Sequence, residues 1–323
     1  MKRIAVLTSG GDAPGMNPAI RAVVRTGIHY DLLVYGVNRG YTGLIGGDII
    51  EMPARSVGGI IQRGGTILQT ARSPEFKTEK GRLEALRNLN RMGIEGLVVI
   101  GGDGSLSGAL ELHKLGFPVV GMPGSIDNDL SGTDMAIGVD TALNTALDAL
   151  DKIKDTASSH QRAFIIEVMG RNSGYLALMA SIAGGAEVVL CPEVPFDLNE
   201  VAKELRDAYM RGKAHAIVVV AEGVPGGAAA VAKHFHTHRD KIGFEARVTI
   251  LGHIQRGGSP SAFDRILATR LGVAAVERLH EGVYGVMVGL IGGQIVATPL
   301  PEVLAQRKSL DLRTYEVAKM LAR

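Results

Sequence analysis

Seven short apolar runs, most of them separated by amphipathic stretches, constrain this chain more than any other feature. Ile4–Leu7, Leu33–Val37, Leu97–Ile100, Val119–Met122, Phe164–Val168, Ile217–Ala221 and Val248–Leu251 are rich in Val and Ile. Several are apolar at successive positions, the pattern of strands buried on both faces. Helical patterns lie between them. In Thr141–Ser159, Leu143, Leu147, Leu150 and Ile153 form one stripe, with Asp148, Asp151, Lys152 and Lys154 largely off it. Leu198–Met210 and Phe263–His280 read as further helices. Strand–helix alternation requires right-handed crossovers and a wound sheet with helices on both faces. The fold class is α/β: two three-layer α/β/α domains with mostly parallel, wound sheets. The 323 residues suit two domains of roughly 150 residues each. A boundary is expected near Gly138–Thr141, where a polar loop enters the long helix. The C-terminal runs Val286–Leu290 and Ile295–Thr298 read as a hairpin that returns to the first domain. The expected division is 1–138 with about 255–305, and about 139–254 with 306–323.

Charge and composition exclude several classes. A net charge of +2 gives no global field for nucleic acid. No segment approaches the ~20 uninterrupted apolar residues of a membrane helix. Met1-Lys2-Arg3 is basic, but the apolar stretch after it is too short for a signal-peptide core. The single cysteine, Cys191, permits no internal disulfide and fits a reducing compartment. It follows Val188–Leu190 and reads as a small core residue. A soluble, cytoplasmic protein is expected.

Parallel α/β sheets bind their ligands at the carboxyl ends of strands, and several strand ends here carry chemistry. The first is Thr8-Ser9-Gly10-Gly11-Asp12-Ala13-Pro14-Gly15-Met16-Asn17-Pro18, where Asn17 suits a cap and Pro18 the first turn of a helix from Ala19. The second is Gly101-Gly102-Asp103-Gly104-Ser105, opening a helix over Ser107–Leu115. Glycines let amides approach a phosphate, and a helix N-terminus adds favourable partial charge. An acid inside such a loop calls for a cation between it and the phosphates, so Mg²⁺ is implied at Asp103. Neither loop is a Walker motif. The third strand end is Pro123-Gly124-Ser125-Ile126-Asp127-Asn128-Asp129, whose carboxylates can take a proton or hold a metal. Arg162, Arg171, Arg247 and Arg256 sit near other strand ends, and guanidinium suits bidentate phosphate binding. Glu222 adds an acceptor for sugar hydroxyls. Each residue alone also has a plain reading as a turn acid or a solvated surface cation. Read by themselves they leave open a different kinase with a Gly-Gly-Asp-Gly loop, an NADP-dependent oxidoreductase built on the Gly102–Gly108 spacing, and a non-catalytic sugar-phosphate sensor.

Together with Val168-Met169-Gly170-Arg171 and Leu251-Gly252-His253-Ile254-Gln255-Arg256-Gly257-Gly258, these segments resemble the bacterial ATP-dependent 6-phosphofructokinase family, in the same order and nearly end to end. The resemblance implies transfer of the ATP γ-phosphoryl to fructose 6-phosphate, the committed step of glycolysis. The first domain would bind ATP with Mg²⁺ and the second the sugar phosphate. Asp127 would be the general base, with Arg171, Ser125, Arg72 and the Gly11 amide serving the transferring phosphoryl group. Gly11, Arg72, Ser73, Gly102, Asp103, Gly104, Ser105 and Gly108 would line the nucleotide site, with Asp103 the metal ligand. Ser125, Asp127, Met169, Gly170, Arg171, Glu222, His253 and Arg256 would meet the sugar phosphate, joined by Arg162 and Arg247 from a neighbouring subunit of a homotetramer. Pyrophosphate-using relatives typically have Asp at Gly104 and Lys at Gly124, so two glycines imply ATP as donor. Neither a nucleic acid nor a membrane is an expected partner.

The chain departs from the family pattern in places. Ser125 stands where Thr is usual, keeping the hydroxyl. Arg21, Arg25, Lys154, Gly185, Glu187, Arg211 and Lys213 resemble an effector site for ADP or phosphoenolpyruvate. Ala54 and Gly59 replace the Arg and Asp often found there, although Arg55 is adjacent. His234, His236 and His238 form a cluster in which residues 234 and 238 share a helical face, but no third metal ligand is evident.

Overall fold

The structure is a computed structural model that describes residues 1–160, 162–213, 215–237 and 245–322. The chain forms two compact units. One comprises Met1–Ser125, Leu130–Thr141 and Arg256–Lys308; the other comprises Ile126–Asp129, Ala142–Gln255 and the chain from Ser309.

In chain order the first unit contributes β1 (Arg3–Ser9), α1 (Met16–His29), β2 (Leu33–Val37), α2 (Gly40–Gly46), β3 (Ile49–Glu51), α3 (Glu79–Arg91), β4 (Gly96–Gly101), α4 (Asp103–Lys114) and β5 (Val119–Pro123). Helix α5 (Val139–His160) leads into β6 (Arg162–Val168), α6 (Tyr175–Gly184), β7 (Val188–Leu190), α7 (Leu198–Met210), β8 (Ala216–Ala221), α8 (Gly227–Thr237) and β9 (Glu245–Ile250) of the second unit. The chain then supplies α9 (Ala262–His280), β10 (Val286–Ile291), β11 (Gln294–Pro299) and α10 (Leu300–Ala305) to the first unit, and α11 (Leu312–Leu321) to the second.

The first unit is a seven-stranded sheet in the order β11-β10-β5-β4-β1-β2-β3. Its middle is parallel; β3 and β11 run antiparallel at the edges. β4 and β5 are buried at every position, as expected of strands covered on both faces. Ala5, Leu7, Leu97, Val99, Leu106 and Met287 join one core, each large side chain contributing about 1.5–3 kcal/mol by leaving water. The second unit has a four-stranded parallel sheet, β7-β8-β6-β9.

Several local expectations need correction. Helix α1 begins at Met16, capped by Gly15 at φ 117°, and Asn17 is no cap. Its amide instead donates to the Arg63 and Gly64 carbonyls and its oxygen accepts from Ile67 N–H, so the side chain ties down a distant loop. Helix α4 starts at Asp103 rather than Ser107. Strand β9 starts at Glu245, which places Arg247 inside it rather than at its start. On α5 the fully buried positions include Val139, Ala142, Ala146, Leu150 and Ala157, with Leu143, Leu147 and Ile153 only half-buried.

Asp264, near the start of α9, is fully buried. It accepts from Gly138 N–H, Thr141 N–H and the Thr141 hydroxyl. These bonds fix the entry into α5, one turn of backbone that has no intrahelical partners of its own. Burial pushes the Asp264 carboxyl above the ordinary carboxylate range, against the three donors that lower it.

Candidate functional site

The register of the first sheet assembles its loops. Ser9 of β1 pairs with Gly101 of β4, and Gly101 with Pro123 of β5. Three parallel strands therefore end at one level, and the segments carrying Gly11, Gly102–Ser105 and Gly124-Ser125 leave the sheet side by side. Gly124 N–H donates to the Gly101 carbonyl at 3.0 Å. A side chain at Gly101 would meet Ser105 Oγ at 2.5 Å, so only glycine lets α4 begin so close to the strand.

Asp103 is the first residue of α4, at the positive end of its dipole. Arg307 Nη2 lies 3.3 Å from its Oδ2. A half-exposed carboxylate that already gathers a cation fits a metal ion that brings its own water and phosphate oxygens. Among the described residues no group of three or more His, Cys, Asp or Glu could hold a metal ion. Mg²⁺ has that habit: it is usually held by one or two carboxylates plus substrate phosphates rather than by an all-protein cage.

Gly104 faces open space, with no atom within 4 Å of where a Cβ would stand. Gly108 is different. A Cβ there would lie 2.8 Å from the ring of Tyr41, whose hydroxyl donates to the Ser105 carbonyl at 2.6 Å. Tyr41 is buried and stacked on Phe76, and burial drives its hydroxyl pKa far up. Gly108 thus makes room for the residue that fixes the first turn of α4. Arg256 Nη1 donates to the Asp12 carbonyl at 3.0 Å, and its guanidinium covers the face of Gly11 where a Cβ would be. Arg256 is thus held against the first glycine loop. Thr70 donates to the Gly10 carbonyl, holding the segment that leads to the exposed Arg72 and half-buried Ser73.

In the second unit β6, β8 and β9 are parallel, and Val168 is level with Ala221 and Glu167 with Ile250. Met169–Arg171, Glu222 and the turn Gly252–Arg256 follow those ends. Arg171 adopts φ 52° and Gly170 φ 147°. Arg171 Nε lies 3.9 Å from Asp127 Oδ2; Asp127 is nearly buried and Arg171 exposed. Glu222 Oε1 accepts from the amides of Gly170 and Arg171. One carboxylate oxygen is therefore committed to the turn that carries Arg171, a task the residue pattern did not reveal. Arg162 Nε and Arg247 Nη2 converge on Glu245, at 3.3 and 2.7 Å. They form a net positive cluster across the start of the β6–β9 pair, where Arg162 of β6 faces the edge strand β9.

A family model described as Phosphofructokinase matches residues 3–279. The chain belongs to the phosphofructokinase family. A Thermotoga neapolitana protein named ATP-dependent 6-phosphofructokinase is 56% identical over 323 residues, covering 100% of both chains. A protein of the same name from Bacillus pumilus is 54% identical over 322 residues, again covering both completely. The solved phosphofructokinase of Saccharomyces cerevisiae matches with a TM-score of 0.88 at 40% identity, covering 99% of this chain and 47% of that one, so this chain spans less than half of the yeast polypeptide.

The residues resembling the phosphofructokinase effector site fall in both units. Arg21 and Arg25 lie on α1. In the second unit Lys213 Nζ pairs with Glu187 Oε1 at 3.1 Å, Glu187 Oε2 accepts from Ile217 N–H, and Lys154 Nζ lies 3.2 Å from where a Cβ on Gly185 would stand. A cavity of 440 Å³ has Glu187 and Arg211 in its wall. Ala54 and Gly59, in the first unit, carry no charge; Gly59 sits at φ 66° in open space. His234 and His236 are on α8, and His238 lies outside the described residues. No helix among the described residues is long and apolar enough to cross a membrane.

Proposed function

We infer that this chain is an ATP-dependent 6-phosphofructokinase, moving the γ-phosphoryl of ATP to the 1-hydroxyl of fructose 6-phosphate to give fructose 1,6-bisphosphate and ADP. The observation that carries the chemistry is the nearly buried Asp127 carboxylate beside the Arg171 guanidinium. Asp127 takes the proton of the sugar hydroxyl as its oxygen attacks phosphorus. The new O–P bond forms as the bond to the ADP oxygen breaks. Arg171, with Arg72 and the Gly11 amide, offers positive charge to the three equatorial oxygens. Ser125 donates a hydrogen bond in the same region. Such transfers depend on positioning and electrostatics far more than on covalent chemistry. Asp103 would hold Mg²⁺, which when bound neutralises phosphate charge. The open face of Gly104 favours ATP over pyrophosphate, since it leaves space for the α-phosphate. Gly102, Ser105 and Gly108 shape the start of α4 around the nucleotide, with Ser73 nearby. Met169, Glu222 and His253 serve the sugar.

Finer features belong to the same reading. The enzyme works in the cytoplasm as a homotetramer, and the Arg162–Arg247 cluster serves the 6-phosphate of a neighbouring subunit. ADP or phosphoenolpyruvate binds at the Lys154–Glu187–Lys213 group, and Arg21 and Arg25 serve an effector phosphate. A positioned base contributes about 10²–10⁴ in rate. Asp127→Asn is expected to lose kcat by that factor with fructose 6-phosphate affinity little changed. Steady-state kinetics and equilibrium binding check it, and near wild-type turnover would remove Asp127 from the base role.

A further inference from the structure

The segment Gly252-His253-Ile254-Gln255-Arg256 forms a single tight turn. The functional reading uses His253 and leaves Gln255 without a task. His253 and Ile254 are exposed, whereas Gln255 is completely buried. A buried amide must be explained by its hydrogen bonds. Gln255 Oε1 accepts from Met169 N–H at 2.8 Å. The next two amides, Gly170 and Arg171, donate to Glu222 Oε1. Three consecutive N–H groups at the end of β6 are thus held by two side chains, one from the end of β8 and one from beyond β9.

The turn they hold is an unusual one. Arg171 sits in the left-handed region at φ 52°, which L side chains rarely adopt. Two glycines make room for it. A Cβ on Gly170 would lie 2.4 Å from the Ser173 carbonyl oxygen, and one on Gly223 would lie 2.1 Å from the Arg171 carbonyl oxygen. Residues in sparsely populated conformations persist only where their surroundings over-determine them. Here the surroundings are Gln255, Glu222 and the close packing at Gly223, and the result is an exposed Arg171 whose Nε lies 3.9 Å from Asp127.

We propose that Gln255 is a positioning residue for phosphoryl transfer: by holding the Met169 amide, jointly with Glu222 on the next two, it sets the left-handed turn that directs Arg171 toward Asp127. The inference rests on the reading that Arg171 acts on the transferring phosphoryl group. Gln255 touches neither substrate; it works through the backbone of residues 169–171. Misplacement of a positioned group by about 1 Å can cost on the order of 100-fold, so loss of one of three anchors is expected to cost about tenfold.

The test is a double-mutant cycle on the full-length protein, with kcat and KM for fructose 6-phosphate measured at saturating ATP and Mg²⁺. Gln255→Met, similar in volume but without an acceptor, is expected to lower kcat about tenfold. In an Arg171→Met background the same change should cost less than about twofold, because the group it positions is gone. Hydrogen exchange of the segment following β6 should accelerate in Gln255→Met, while the thermal transition stays cooperative. Gln255→Asn, which withdraws the carbonyl by one methylene, replaces Gln255→Met if that variant does not fold. Gln255→Glu keeps an acceptor at the same reach and should retain more kcat than either. An equal loss with and without Arg171 would overturn the inference, as would unchanged kcat in Gln255→Met. Wild-type kcat in Arg171→Met alone would instead overturn the reading of Arg171 on which the inference stands.

Discussion

Gly104→Asp separates the needs of the ligand from those of the fold. Gly104 is the second residue of α4, exposed, with nothing within 4 Å of a Cβ built on it. An aspartate can therefore enter without moving any neighbour. Leaving glycine gains a few tenths of a kcal/mol in helix propensity, and an acid in the first turn gains about 0.3–1 kcal/mol from the dipole. Repulsion from the adjacent Asp103 offsets part of this. The net expectation is a stability change between about 0 and +1 kcal/mol. Nucleotide use should respond quite differently. A carboxylate set against the α-phosphate puts like charges together, which costs several kcal/mol. At about 3 kcal/mol, kcat/KM for ATP falls on the order of 100-fold. Gly104→Asn, similar in size and neutral, should lose less and so divides the steric part from the charge. Urea unfolding and ATP kinetics at saturating fructose 6-phosphate read both effects. ATP kinetics within threefold of wild type in a folded Gly104→Asp protein would refute the reasoning about the donor. A stability loss beyond about 2 kcal/mol would refute the reasoning about open space. Gly124 offers the contrast, since a Cβ there would press on Ile100 Cγ2 at 3.1 Å and Met16 Cε at 3.3 Å. Gly124→Lys should cost about 1–3 kcal/mol of stability through overpacking.

Asp264→Ala strands the Gly138 and Thr141 amides at about 1–3 kcal/mol each, a loss that denaturant melts will measure. Because burial raises the Asp264 carboxyl, the folded state holds its proton more tightly than the unfolded chain. Its favourable contribution is present below the ordinary carboxylate range, about pH 4, and is lost as pH rises through the raised value. The stability of wild type relative to Asp264→Asn should therefore decline as pH rises across that window; a rise would contradict the assignment. Cys191 is buried and its thiol is pushed up to about 12, by burial first and then by Glu193. It should resist alkylation at pH about 8, where a free thiol near pKa 8.5 reacts, and become reactive only in denaturant. Fructose 6-phosphate saturation curves should be sigmoidal and shift with phosphoenolpyruvate or ADP; hyperbolic curves insensitive to both would show that the Lys154–Glu187–Lys213 group binds no effector.

What the sequence made legible follows from where the information lies. Strands β4, β5 and β8, and β1 after its first residue, are buried at every position, so their burial is written as nearly uninterrupted apolar runs, whereas β6 alternates buried with half-buried positions. The α/β architecture is readable on that basis. β3 is a three-residue edge strand, half-buried to exposed, and leaves no such mark. Helix α1 shows how local chemistry misleads. Asn17-Pro18 looks like a helix start, but the true cap is Gly15 and Asn17 serves residues some fifty positions away. The motif residues are legible because glycine loops and strand-end acids carry their chemistry locally. Gln255 and the second task of Glu222 are not, because their bonds go to main-chain amides 51 to 86 residues distant, and an amide has no residue type to signal it. Tyr41 beneath α4, which accounts for Gly108, is hidden for the same reason.

The central claim is that this chain joins a nucleotide phosphoryl group to the 1-oxygen of fructose 6-phosphate. The most direct test incubates the purified protein with fructose 6-phosphate and either ATP or pyrophosphate, with and without Mg²⁺, and identifies the products by phosphorus NMR. The account predicts equimolar fructose 1,6-bisphosphate and ADP from ATP, only with Mg²⁺, and negligible product from pyrophosphate. Pyrophosphate as the preferred donor, phosphorylation at another sugar oxygen, or no sugar bisphosphate at all would contradict it.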